Sequence, residues 1–160
     1  MSGAFYEGRA EARPTGRAHL AAGLLALLSA AAGVIHLAVV PEHFEEWFLA
    51  GLFFLGLGAF QIAWGPLVAF RPGRWILLAG AVVNAGVIAL WAVSRTTGLP
   101  VGPEAGEPEA VGLADGLATG LEALIVVGAI ALMLARHRAA SQDERAAARP
   151  RPRTAPGLAS

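Results

Sequence analysis

Four predominantly apolar segments, at about residues 17–40, 42–70, 74–95 and 111–137, dominate this chain. Each meets the ~20 residues that an α-helix needs to cross a hydrocarbon core of ~30 Å. A bilayer interior offers no water to backbone amides, so a segment that enters it must satisfy its own hydrogen bonds, and an α-helix does so. The expected fold is an all-α transmembrane four-helix bundle. The first segment exceeds the ~7–15-residue apolar core of a secretory signal and three similar segments follow it, so it is read as a retained span.

Composition agrees with that reading. Hydrophobic residues make up 56% of the 160, and the mean hydropathy of +0.57 is too apolar for an ordinary water-soluble domain. There is no cysteine, which excludes disulfides and any thiolate-held metal, Cu(I) included. No stretch resembles a phosphate loop, a nucleophile elbow, a dinucleotide fingerprint or a nucleic-acid module. Four spans leave little of the chain for a catalytic domain, so neither enzymatic activity nor a nucleic-acid partner is expected. The lipid bilayer is the first partner; a homo-oligomer or a partner membrane protein would be the others.

The arginines orient the bundle. All twelve basic residues are arginine, and eleven of them precede the first span, form the turn between the second and third, or follow the fourth. Only Arg95 lies on the side that carries Glu42, Glu45, Glu46, Glu104, Glu107 and Glu109. Cytoplasmic flanks carry the excess of positive charge, so both termini are expected in the cytoplasm of a bacterium, with the bundle in its plasma (inner) membrane. The chain then divides into a cytoplasmic tail (1–16), a transmembrane domain (17–138) and a disordered cytoplasmic tail (139–160), into which the fourth helix could continue for a few turns before Pro150, Pro152 and Pro156 argue against regular structure. Trp47, Trp64, Trp75 and Trp91 fall near predicted helix ends, where indoles favour the water interface. The loop at 96–110, rich in Pro, Gly and Glu, reads as a solvated linker, with a lid over the outer mouth as the alternative.

Ionisable and amide side chains inside the spans are the unusual feature, because they are costly in lipid and face the bundle interior. They recur at helical spacing. Ser29, Gly33 and His36 share a face of the first span; His43, Glu46 and Gln61 share one of the second; Asn84, Trp91 and Arg95 align on the third; and Asp115, Thr119 and Glu122 align on the fourth. At ~1.5 Å per residue, Glu122 lies about 10 Å deeper than Asp115. The four stripes therefore converge on a polar pocket in the outer half, with Arg95, Asn84, Ser29, Thr119 and Gln61 lining it.

Imidazole and carboxylate together suit Zn, Fe, Mn or Cu(II), which makes His36, His43, Glu46, Asp115 and Glu122 candidate metal ligands. The expected function is an outward-facing site for a cation or protons in metal handling, sensing or permeation. The competing reading is a non-catalytic accessory or scaffold subunit in which Arg95 pairs with Asp115 or Glu122 and the other polar groups only specify packing. A third, weaker reading is a haem-binding redox subunit with His19 and His137 as axial ligands, against which stands their place beside arginines at the membrane boundary. Gly112, Gly116 and Gly120 form a small-residue stripe that suggests close packing of the fourth span.

The runs HLAVVPEHFEEW (36–47), SRTTGLPVGP (94–103) and GLADGLATGLE (112–122) resemble a group of small, uncharacterised four-span bacterial integral membrane proteins. The resemblance covers roughly residues 20–135. It implies the four-span architecture and carries no assigned activity.

Overall fold

The computed structural model describes residues 16–148, and over them the chain is helical. The elements are α1 (Gly16–Ala38), α2 (Val40–Glu46), α3 (Phe48–Phe70), α4 (Arg74–Thr96) and α5 (Leu113–Ala147). All but α2 are long and apolar enough to cross a membrane. Large apolar side chains such as Leu27, Val34, Leu55, Val82 and Val127 point outward along them. Lipid tails are as apolar as leucine, so such a surface suits a multi-pass membrane protein. Four crossings return the chain to the side from which it started.

The predicted second span is two helices. Pro41 occupies the first turn of α2, where its missing N–H costs nothing, while its ring would block continuation of α1. A second break falls at Trp47, whose backbone is extended (φ −157°, ψ 121°). The short α2 then folds against the start of α3, which only a glycine permits: a Cβ at Gly51 would lie 2.3 Å from the Phe44 ring. Residues 1–15 and 149–160 lie outside the described residues. The fourth span runs on to Ala147 rather than ending near 137, because Ala139–Ala147 is rich in good helix formers. The fourth helix thus continues for a few turns into the tail, as its sequence allowed.

Within the bundle α1 packs against α3 and α5, and α4 packs against α5. The α1–α3 crossing is close because small residues face each other: a Cβ on Gly33 or on Gly58 would stand 3.1 Å from the other's carbonyl oxygen. Gly116 and Gly120 do not serve this purpose. Nothing lies within 4 Å of a Cβ placed on either, so within the chain that stripe of α5 is turned outward. Helices α3 and α4, although joined by the short turn 71–73, have backbones that stay apart and meet through long side chains such as Trp64 and Gln61. An open apolar groove of about 530 Å³, lined by Leu52, Phe53, Gly56, Phe60, Val83 and Leu90 among others, separates them.

The two ends of the bundle differ. At the end where α1 begins, called here the terminal end, Ala22, Leu25, Trp64, Val68, Leu77, Ile125, Ala129 and Leu132 form an apolar core. Trp64 belongs to that core and not to the water interface, with its Nε1–H donating to the Ile76 carbonyl at 2.7 Å. Gly80 makes room for its ring. The polar side chains gather toward the opposite end, which carries α2 and the connection 97–112 and is called here the loop end.

Candidate functional site

The site is a hydrogen-bonded network that ties four helices together. Side chains on a helix lean toward its N-terminus, so His36, near the end of α1, reaches back into the bundle, where it is 4% exposed. Its Nε2 lies 2.9 Å from Oε1 of Glu122 on α5, which is 1% exposed. The Gln61 amide on α3 donates through Nε2 both to Glu122 Oε1 at 3.2 Å and to Asn84 Oδ1 on α4 at 3.1 Å. Asn84 in turn donates through Nδ2 to the Gly80 carbonyl at 2.7 Å, and Ser29 Oγ donates to the Gln61 carbonyl at 2.8 Å.

The chain of bonds has a direction. A carbonyl can only accept, so Gly80 fixes which end of the Asn84 amide faces its own helix, and Asn84 Oδ1 then fixes the Gln61 amide. The result is an N–H group aimed at Glu122. Oε1 of Glu122 thus receives Gln61 on one side and meets an imidazole nitrogen on the other. An imidazolium facing a carboxylate and a neutral imidazole facing a carboxylic acid both satisfy this geometry, and they differ by the position of one proton along the 2.9 Å line.

A second cluster closes the loop end. Arg95, at the end of α4, donates to Glu109 in the connection and to Asp115 Oδ2 at 2.6 Å. Asp115 also accepts from the Gly112 backbone at 3.0 Å, which caps α5. The connection folds back on itself through Gly106 N–H on the Leu99 carbonyl and is tied to the end of α4 through Glu109 N–H on the Ser94 carbonyl. Gly98 has φ +74°, and a Cβ there would strike the backbone of Gly106 and Glu107 at 2.5 Å, so this fold-back requires glycine. Gly102 lies over the Trp47 ring. The segment expected to be a solvated linker is exposed along most of its length and is held in a defined conformation by these bonds.

The expected site residues divide accordingly. His36, Glu122, Gln61, Asn84 and Ser29 come together. Arg95 and Asp115 form the separate clamp, and Arg95 pairs with Asp115 and not with Glu122. Thr119 is half-buried and joins neither set. The break at Trp47 uncouples His43 and Glu46 from the face of Gln61. Glu46 is exposed, and His43 donates through Nδ1 to the Val39 carbonyl at 2.8 Å while its ring packs on Phe54 at 4.0 Å. Phe54 also approaches His36, at 5.5 Å between ring centroids, and so packs near both imidazoles.

Among the described residues no three His, Asp or Glu side chains lie close enough to share a metal ion. Of the expected ligands His36, His43, Glu46, Asp115 and Glu122, only His36 and Glu122 are brought into contact with each other. His19 and His137 are both exposed. The apolar groove beside His19, between α1 and α3, does not include His137.

Comparison with protein-family models, with curated proteins and with solved structures gave no match. Function must be read from the geometry.

Three contributors were not singled out from the sequence. Glu109 had a visible sign, since it is an acid near the only arginine on its side. Phe54 and the inward role of Trp64 had none, because one aromatic residue in an apolar run is indistinguishable from its neighbours until packing is known.

Proposed function

We propose that this multi-pass membrane bundle binds a proton at the His36–Glu122 pair and exchanges it with the loop end. The observation that carries the reading is a carboxyl group 1% exposed, hydrogen-bonded to an imidazole, inside a helical membrane bundle. A carboxyl at such depth is either protonated, paired or bound to a cation. With a metal donor set missing among the described residues, the proton is the cation that the geometry suits. Among the described residues, the apolar core at the other end buries no polar group beyond the Trp64 indole N–H, which is already bonded to Ile76, and this favours sensing of proton activity on one side over permeation. With the arginines taken as the cytoplasmic flank, the loop end faces outward.

Infrared difference spectra of the full chain in lipid nanodiscs, recorded from acid to alkaline conditions, test this. A carboxyl band that appears and disappears with pH, shifts in D2O and is missing in Glu122→Gln is the expected result. A Glu122 that keeps one protonation state throughout would refute it.

That outcome would instead support a scaffold role. Two bonds of the network favour it: Ser29 and Asn84 both spend their donors on main-chain carbonyls, as helix-packing groups in membranes do.

A further inference from the structure

Three buried side-chain atoms have no hydrogen-bond partner among the described residues: Gln61 Oε1, Trp91 Nε1 and Arg95 Nε. One is an acceptor and two are donors. Leaving such groups unmet in an apolar interior is costly, and internal water relieves the cost wherever about two to four polar partners converge.

Their places in the fold form a sequence. Arg95 and Trp91 are one turn apart on α4, about 6 Å along the axis, and Asn84 lies about 10 Å beyond Trp91 on the same stripe. Asn84 holds Gln61, which holds Glu122. The unmet atoms thus mark successive levels from the Arg95 clamp down to the His36–Glu122 pair. Groups that already have partners stand at the two ends of this sequence, Asp115 beside Arg95 and Glu122 beside Gln61.

We propose that a short file of internal water runs along this face of α4, contacting Arg95 Nε, Trp91 Nε1 and Gln61 Oε1, and ending at Glu122. Its ligand class is water, and its use as a proton route rests on the function proposed above. The Arg95–Glu109–Asp115 clamp is the mouth of the file, and the Trp91 indole is its narrow point. A proton enters at the clamp, passes by hydrogen-bond exchange between neighbouring waters and arrives at the Glu122 carboxylate, with no net loss of water from the file.

Water-edited solid-state NMR on the full chain in lipid bilayers reads this directly, by timing magnetisation transfer from water to each indole N–H. Trp64 is an internal dry reference, because its Nε1–H is held by the Ile76 carbonyl in the apolar core. Signal at the Trp91 indole is expected to build up several-fold faster than at Trp64. In Trp91→Phe, which keeps an aromatic ring and removes the donor, proton–deuteron exchange at Glu122 followed by infrared is expected to slow about tenfold. A Trp91 indole as dry as Trp64 overturns the water file, whatever Glu122 does. A hydrated Trp91 beside a Glu122 of unchanging protonation supports the file and overturns the proton-binding function instead.

Discussion

His36→Leu is expected to destabilise the folded bundle by about 3 kcal/mol, because it strips one of the two partners from a buried carboxyl and leaves the other oxygen–nitrogen contact to Gln61 alone. The companion result is more informative. In His36→Leu/Glu122→Leu both members become apolar, no buried carboxyl is stranded, and the loss should be smaller than in either single variant. Interhelical hydrogen bonds in membranes contribute on average only about 0.6 kcal/mol, so most of the single-variant cost is the orphaned partner and not the lost bond. Unfolding titrations in detergent, followed by circular dichroism, measure all three variants against the native chain. Losses that simply add would mean that the two side chains do not interact.

Gly80→Val is expected to cost a similar amount, about 3 kcal/mol or somewhat more, by a different route. A Cβ at residue 80 would lie 2.2 Å from Cζ2 of Trp64. That ring cannot swing away cheaply, since it is buried in the core and its N–H is bonded to Ile76. The same residue's carbonyl holds Asn84 and thereby sets the direction of the Gln61 amide. Gly80→Val should therefore lower thermal stability and also disturb the infrared signature of Glu122, although residue 80 touches neither His36 nor Glu122 by a bond. A variant that lost stability and kept an unaltered Glu122 band would separate core packing from the network, contrary to this account.

Residue patterns alone located the spans and much of the network, for a physical reason. An apolar run of span length has few alternatives in a bilayer, and a polar residue within it has few places to point, so Ser29, His36, Asn84 and Glu122 revealed their faces by spacing. Depth was equally legible where helices were unbroken, which is why Arg95 and Asp115 met. The reading failed where backbone continuity failed. Nothing in EEWFLAGL announces an extended residue at Trp47, and without that break His43 and Glu46 project onto the face of Gln61. His43 and Glu46 were placed with the other expected metal ligands on that phase, and the break removes them from that face. Trp64 misled in another way: interfacial preference is a tendency of indoles, whereas a glycine on a neighbouring helix with room for the ring is a fact of tertiary packing. Likewise the small-residue stripe of α5 has the spacing of a contact surface, yet Gly33 and Gly58 supply the close approach that the chain uses.

The central claim is that an imidazole and a carboxyl from helices at opposite ends of the sequence share one proton inside the bundle. Solid-state NMR of the chain in lipid bilayers, labelled at histidine nitrogen and glutamate carbon, tests it most directly through a correlation between His36 Nε2 and Glu122 Cδ. The expected spectrum contains that cross-peak, and both resonances move together as pH is changed. Its absence, or two resonances that titrate independently, would contradict the account.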